Sequence, residues 1–180
     1  MGKDFIVTYT GVEFYPLKST PEDINAIDIA HSLSLMCRAN GHMIRFFSVA
    51  QHSINCYYEA VARGYSKRVQ LGCLLHDGSE AYISDITRPV KTYLDTYRQI
   101  EEKVQSLVYA RFGLGDLTEE ELEQIKICDD IQLSVEFKEL HEHTDFECDY
   151  EPMGKADLSN RDPEIVKEEF LKILNRLLEE

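Results

Sequence analysis

Four helix-start signals divide this 180-residue sequence into amphipathic segments, and they constrain its fold more than any other feature. Each signal places an N-cap side chain just before a proline, an acidic residue or an amide in the next turn. Apolar residues follow each signal at helical spacing, so the chain is predicted to be mostly α-helical. The signals begin at Thr20, Ser48, Thr118 and Asp162.

The same signals, together with glycines and prolines, set the predicted boundaries of the elements. β-branched and aromatic residues near the start of the chain predict a short N-terminal β-hairpin. The predicted elements are the hairpin over 5–17, helices over 21–39, 48–63, 66–82, 90–112, 118–141 and from 162 onward, a β-like stretch over 43–47, and a long surface loop over 142–161.

Composition and charge exclude several classes of protein. Hydrophobic residues make up 43% of the chain and no repeat or linker interrupts it, so we expect one globular domain over residues 1–180. The 33 acidic and 19 basic residues give a net charge of −14, which disfavours nucleic-acid polymers as partners. The sequence contains neither a membrane-spanning apolar run nor an apolar N-terminal signal. The five cysteines form no Cys-x-x-Cys pair, which favours free thiols and a cytoplasmic location.

Imidazole and carboxylate side chains on apolar helix faces are the candidate functional groups. At 100° per residue, Asp129 lies on the apolar stripe of its predicted helix. His52 shares a face with Cys56, and His76, which directly precedes Asp77, lies on the inner face of a third helix. Burying such groups is costly unless they are paired or bind a metal. Two histidines and two aspartates from three helices therefore predict a site for one divalent cation.

Each of these residues also has an ordinary structural explanation. A single inward histidine is more often a hydrogen-bonded core residue than a ligand, and Asp129 could form a buried salt bridge instead. The joint spacing of His52, His76-Asp77 and Asp129 favours the metal. The residue types leave the identity of the metal open among Mn, Co, Fe, Ni, Zn and Mg.

Two segments of the chain resemble the HD-domain metal-dependent phosphohydrolases. The pattern His52…His76-Asp77…Asp129 resembles the four-part signature of that superfamily. Residues 76–91, HDGSEAYISDITRPVK, are similar to bacterial 5′-deoxynucleotidases, and residues 28–53, DIAHSLSLMCRANGHMIRFFSVAQHS, resemble phage- and prophage-encoded members. The resemblance covers roughly residues 5–140 and implies the helical bundle of that superfamily.

The resemblance also implies a role for individual residues. It makes the four signature residues the metal ligands and gives the two acids that follow them a catalytic role. Glu80 lies four residues after His76, on the same helical face, which agrees independently with that role. The chain has no Trp and so departs from the deoxynucleotidase Arg-Trp pair, leaving two arginines as candidates for the phosphate contact. The implied residues are His52, His76, Asp77 and Asp129 for the metal, Glu80 and Asp85 for catalysis, and Arg38, Arg45 and Lys91 for substrate binding.

The function implied by the resemblance is the release of phosphate from nucleoside or deoxynucleoside 5′-monophosphates, a small-nucleotide activity with one divalent cofactor. Two alternatives stay open at this point: hydrolysis of nucleoside triphosphates, and a helical module that a metal stabilises without turnover. The resemblance also implies a homodimer. The amphipathic last helix either provides an interface or closes the core.

Overall fold

The chain folds into helices preceded by a two-stranded hairpin, as a computed structural model describing residues 4–143 and 146–179 shows. Two of the predicted capping signals form as expected. Ser48 Oγ accepts the Gln51 amide at the start of one helix, and Thr118 forms a reciprocal capping box with Glu121 at the start of another. The elements are β1 (Ile6–Val7), β2 (Glu13–Phe14), α1 (Ala26–Leu35), α2 (Val49–Ala62), α3 (Lys67–Leu75), α4 (Glu80–Ile83), α5 (Arg88–Lys91), α6 (Asp95–Arg111), α7 (Glu119–Leu140) and α8 (Pro163–Glu179).

The predicted hairpin is confirmed. Strands β1 and β2 are antiparallel, and Ile6 pairs with Phe14. Phe14 is fully buried and joins the main core, so the hairpin closes one side of the helical layer. The fold is therefore mostly α-helical with a small N-terminal hairpin, as the sequence predicts.

The region between α1 and α2 differs from the prediction. Helix α1 begins only after Asn25, whose side chain accepts the Ile27 amide, and it ends at Leu35. Arg38 consequently lies in a separate 3-10 turn, where Ala39 and Asn40 have positive φ angles that an α-helix cannot accommodate. The strand predicted over 43–47 is wrong as well: these described residues form no strand, and the isolated β-bridge nearby joins Cys37 to Ser48, outside the stretch.

Two predicted helices are each divided in two. The helix predicted over 66–82 ends at Leu75 and resumes as α4, because the chain turns at Gly78 against α6. A Cβ at Gly78 would lie 2.8 Å from Val108 Cγ1, so only glycine fits this approach. The helix predicted over 90–112 is interrupted where Thr92 Oγ1 donates to Pro89 O, a local bond that competes with helix continuation.

The main core joins the hairpin to α1, α2, α3, α6 and α8. Helix α8 contributes four buried side chains, so it closes the core of the protein. Neither the helices of residues 4–143 nor α8 provides a stretch long and apolar enough to cross a membrane. The buried residues of α8 are Val166, Phe170, Ile173 and Leu174.

Residues 146–161, which we call the strap, form no helix or strand, as predicted for the surface loop over 142–161; positions 144 and 145 of that loop lie outside the described residues. The strap is nevertheless held against α2 by buried polar side chains. Gln51 Nε2 donates to the carbonyl oxygens of Asp157 and Ser159, at 2.9 and 3.0 Å. Asn55 exchanges two hydrogen bonds with the main chain of Asp157.

Glu59 continues this row of polar side chains one turn further along α2. Its carboxylate is fully buried and accepts the amides of Met153 and Gly154, the latter at 2.7 Å. Gln51, Asn55 and Glu59 are spaced four residues apart, so one face of α2 binds the strap. The adjacent face of the same helix carries His52.

Candidate metal centre and its pocket

Four candidate ligands from three helical regions converge at one point. His52 lies on α2, His76 follows the last residue of α3, and Asp129 lies on α7. The Nε2 atoms of the two histidines are 3.3 Å apart, and His52 Nε2 is 3.1 Å from Asp129 Oδ1. Asp77 Oδ2 lies 3.3 Å from His76 Nε2 and 3.8 Å from His52 Nε2. The helical faces identified in the sequence therefore do meet.

Hydrogen bonds fix which nitrogen of each imidazole faces this point. His52 Nδ1 donates to Glu136 Oε1 at 2.7 Å, and His76 Nδ1 donates to the Cys73 carbonyl at 2.8 Å. Nε2 of each imidazole therefore faces the other imidazole and two carboxylates, a position in which it can hold either a proton or a cation. Around one ion at about 2.0–2.2 Å, ligand atoms lie roughly 2.8–3.6 Å apart. The observed separations approximate that range, so the donor set fits a divalent cation.

The same arrangement shifts the pKa values of the ionisable groups. Burial lowers the pKa of His76, but Asp77 and Asp129 outweigh it and raise that pKa to about 9. Burial and Arg38 lower the pKa of His52, and the nearby carboxylates raise it above its usual value. Burial raises the pKa of Asp129, whereas hydrogen bonds from both imidazoles hold it well below the usual range. Protons and a metal cation therefore compete for the same negative site.

A thiol also lies beside the two imidazoles. His52, Cys56 and His76 form a donor cluster that could hold a metal ion, and Cys56 Sγ is 3.5 Å from His52 Nε2. Burial, reinforced by the carboxylates of Asp129 and Glu136, raises the pKa of the Cys56 thiol well above its usual value. A thiol binds metals as the thiolate, so Cys56 would have to release this proton to join the imidazoles as a ligand.

Glu136 is a buried carboxylate to which the sequence analysis assigned no role. Its side chain is fully buried and accepts two charge-assisted hydrogen bonds, from His52 Nδ1 and from Arg38 Nε at 2.9 Å. Arg38 then extends its terminal nitrogens toward Asp77 and Asp129, at 3.6 and 3.7 Å. Glu136 thus orients one candidate ligand and one candidate phosphate-binding arginine at once.

A pocket of about 440 Å³ opens onto Asp77 and Asp129, two of the four candidate ligands. Its volume falls within the range typical of small-molecule sites. Charged side chains line one part of it and apolar side chains the rest, so it suits a ligand with a charged end and an apolar end. The lining residues are Arg38, Ala39, Asp77, Glu80, Asp85, Ile86, Thr87, Arg88, Pro89, Lys91, Thr92, Asp129, Leu133, Phe137 and Phe146.

Glu80 is the most unusual acid in this pocket. It is 5% exposed, and within the described part of the chain its Oε2 atom has no hydrogen-bond partner. Burial and then the charges of Asp77 and Asp85 raise the pKa of Glu80 well above its usual value. Lys91 Nζ lies 3.6 Å from Glu80 Oε1 and 2.5 Å from Glu101 Oε1. Glu80 is therefore a carboxylic acid that retains its proton more strongly than an ordinary glutamate.

The structure distinguishes between the two arginines that the sequence leaves as candidates for the phosphate contact. Arg38 lines the pocket beside the ligands, whereas Arg45 is exposed and lies outside the pocket lining. Asp85 and Lys91 both line the pocket, as the resemblance implies. Arg88, which the sequence analysis left without a role, contacts Asp129 Oδ2 at 3.3 Å.

Some of the missed residues had a signal in the sequence and others had none. Glu136 lies seven residues after Asp129 on the same apolar stripe, and Cys56 shares the face of His52, so helical periodicity placed both inward without assigning either a role. Phe146 reaches the pocket from the strap, and no local pattern predicts that contact.

Comparison with known proteins identifies relatives but no family model that matches. The chain is 36% identical over 136 residues to the uncharacterized protein YfdR of Escherichia coli, covering 76% of this chain and 72% of that protein. It is 32% identical over 148 residues to an uncharacterized protein of Rhodobacter capsulatus, covering 78% of this chain and 74% of the relative. The similarity therefore spans most of both chains in each case.

Proposed function

The chain belongs to the same family as YfdR of Escherichia coli, and we propose that it is a metal-dependent phosphohydrolase that releases phosphate from nucleoside 5′-monophosphates. The names of the relatives assign no activity, so the proposal rests on the site and on the resemblance of residues 28–53 and 76–91 to HD-domain phosphohydrolases. The observation that supports it most strongly is the position of Glu80, a buried acid that lines the same pocket as Asp77 and Asp129 and whose Oε2 has no hydrogen-bond partner among the described residues.

His52, His76, Asp77 and Asp129 would hold the divalent cation. When bound, such a cation acidifies water and offsets the charge of a phosphoryl oxygen. Two aspartates balance a 2+ ion, and the terminal nitrogens of Arg38 beside them offer hydrogen-bond donors, so the site can accept an anionic phosphate. This neutralisation is needed because the protein as a whole is strongly acidic.

The remaining pocket residues would bind the phosphate and transfer protons. Arg38, held at Nε by Glu136, would bind the equatorial phosphoryl oxygens through its terminal nitrogens. Asp85 would accept a proton from the attacking water as the new phosphorus–oxygen bond forms. Glu80 would donate its proton to the 5′ oxygen as the bond from phosphorus to that oxygen breaks, a role worth about 10²–10⁴-fold in rate. Lys91 would stabilise the Glu80 carboxylate that results.

A phosphate-release screen tests the proposal. Nucleoside mono-, di- and triphosphates are incubated with the protein and Mn²⁺, Co²⁺, Mg²⁺ or Zn²⁺, and the products are identified. We expect orthophosphate from monophosphates, and loss of that activity in Asp129→Asn. Asp130→Asn is the matched control, because Asp130 is the next residue and pairs with Lys126 and Arg88 rather than with another candidate ligand.

Each other outcome of the screen contradicts part of the proposal. Pyrophosphate or tripolyphosphate from a triphosphate would favour triphosphate hydrolysis over the monophosphate activity. Metal binding without any phosphate release would favour a metal-stabilised module. Asp85→Ala should bind metal normally and lose turnover, so full activity in that variant would remove Asp85 from the mechanism.

A further inference from the structure

The pocket ends in two aromatic side chains, and we propose that they bind the planar base of the substrate by stacking. The inference rests on the proposed function, because the base would belong to the nucleotide whose phosphate faces Arg38. The two side chains are Phe137 on α7 and Phe146 on the strap, and both line the pocket together with Asp77 and Asp129. A single cavity therefore joins the ligand cluster to an aromatic wall.

The two rings form a corner rather than a closed pair. Their centroids are 4.6 Å apart and their planes meet at 80°, so one ring edge contacts the other ring face. Phe146 remains 45% exposed, which leaves ring surface available to a ligand. Aromatic rings favour such stacked and edge-to-face contacts with other π-systems. A planar base could stack on one phenylalanine and contact the other with its edge.

The position of this corner is fixed by the surrounding structure. Ser134 Oγ donates to the Phe146 carbonyl oxygen at 2.6 Å, which ties this end of the strap to α7. His141 stacks on Phe137 at 5.6 Å between ring centroids, so that ring is supported from the next turn of the helix. Further along, Glu59 binds the strap to α2. Both phenylalanine rings are therefore supported by neighbouring residues.

Helix geometry sets the distance between the phosphate end and the aromatic end. Asp129, Leu133 and Phe137 lie on successive turns of α7, and all three line the pocket. Eight residues of α-helix span about 12 Å. Ile86 and Pro89 add further apolar lining to the pocket. The cavity thus suits a molecule with an anionic group at one end and a flat, apolar ring at the other, with the sugar between them.

Stacking distinguishes bases from sugars better than it distinguishes one base from another. Every base has a π-face, so base–aromatic stacking is tolerant of sequence. We therefore expect this protein to prefer nucleoside monophosphates over base-free sugar phosphates, and to differ little among the bases through these two residues.

A turnover experiment tests the inference on the metal-loaded protein. The kcat/KM values for deoxyadenosine 5′-monophosphate and for ribose 5-phosphate are compared in wild type, Phe146→Ala and Phe146→Leu. We expect a loss of roughly 5- to 150-fold for the nucleotide in both variants, the range for removing one stacking side chain, and little change for ribose 5-phosphate. Tyr150→Ala is the matched control, since Tyr150 lies on the same strap, is 44% exposed and does not line the pocket.

A binding experiment separates this inference from the proposed function. Saturation-transfer NMR measures contact between the metal-free protein and deoxyadenosine, which has no phosphate. Binding that disappears in Phe146→Ala and persists in Tyr150→Ala would support the aromatic corner even if no phosphate is ever released. If wild type and Phe146→Ala each hydrolysed deoxyadenosine 5′-monophosphate and ribose 5-phosphate with the same kcat/KM, the inference would be overturned while the phosphohydrolase proposal stands. Deoxyadenosine binding that survives in Phe146→Ala would overturn it as well.

Discussion

The two ring nitrogens of His52 face different groups, and the hydrogen bond to Glu136 determines which nitrogen faces the candidate site. Because Glu136 accepts the Nδ1 proton, the Nε2 lone pair is the one that faces His76 and Asp129. The same carboxylate holds Arg38 through Nε. A partner of this kind sets both the orientation and the basicity of a metal-binding imidazole.

Glu136→Gln should weaken metal binding without removing a ligand. The amide carries no negative charge to stabilise the His52 proton or Arg38, so we expect the Kd for Mn²⁺ or Co²⁺ to rise about 10- to 100-fold. Metal titration followed by calorimetry measures it. Glu139→Gln, an exposed position on the same helix, is the control. An unchanged Kd would mean that Glu136 only packs.

Glu80 makes the stability of the protein depend on pH in a predictable direction. Its pKa is raised in the folded state, so the unfolded chain releases the proton first as pH increases. The stabilisation is complete below the unfolded pKa of about 4.3 and is lost as pH rises through the folded pKa. The neutral amide of Glu80→Gln avoids this loss.

We therefore expect Glu80→Gln to gain stability relative to wild type as pH increases above about 4.3, by at most about 1.4 kcal/mol per pH unit. Urea unfolding between pH 4 and pH 8, with EDTA present, measures the difference. The exposed residue Glu102 provides the control variant Glu102→Gln. A difference that does not vary with pH would contradict the raised pKa.

At the scale of elements, α2 serves the site through two of its faces. One of its faces supplies His52, and the adjacent face binds the strap through Gln51, Asn55 and Glu59. The strap in turn brings Phe146 to the pocket. A change on the strap-binding face should therefore affect the pocket while leaving the ligands in place.

Gly154→Ala should release part of the strap. A Cβ at Gly154 would lie 2.9 Å from Glu59 Cα and 3.1 Å from Glu59 N, backbone atoms that cannot move aside easily. We expect a cost of about 1–3 kcal/mol and faster amide exchange across the strap. Hydrogen–deuterium exchange by mass spectrometry measures the effect. Lys155→Ala, at the next and exposed position, should exchange like wild type.

The sequence predicts the elements better than it predicts the breaks between them. Capping residues act locally, so Ser48 and Thr118 mark their helices correctly. The turn at Gly78 depends on contact with α6, and the turn at Arg38 depends on positive φ angles at the two residues after it. Both causes lie in tertiary packing or in backbone conformation that periodicity does not encode.

The candidate site shows the same division. Periodicity places His52 and Asp129 on inward faces, because burial within one helix follows its 3.6-residue repeat. It does not bring Phe146 to the pocket, since that contact depends on the path of a segment without regular structure. It also cannot choose between Arg38 and Arg45, a distinction that depends on the turn following α1.

At the scale of the whole molecule, the last helix is part of the folding unit. Helix α8 packs on α1 and buries Phe170 completely. The resemblance noted in the sequence stops near residue 140, yet the core continues beyond it. The C-terminal region therefore supports the scaffold on which the site is built.

Phe170→Ala should destabilise the protein by about 3–5 kcal/mol, through lost burial and the cavity left behind. That cost is a large share of the roughly 5–15 kcal/mol that holds most domains folded. Thermal unfolding followed by circular dichroism measures it. Ile165→Ala, on the exposed face of α8, should shift the transition little. A small effect of Phe170→Ala would indicate that α8 is peripheral.

Gln51, Asn55 and Glu59 bind the strap mostly through its peptide groups, and this has an evolutionary consequence. Peptide groups are the same whichever amino acids other than proline carry them, so these hydrogen bonds persist through most substitutions along the strap; Gly154, and Arg161 with its side-chain contact to Glu169, are exceptions. Residue 146 can therefore mutate without endangering the architecture beneath it. If Phe146 binds the base as proposed, substitutions at this position would change which compounds bind while the fold beneath is retained.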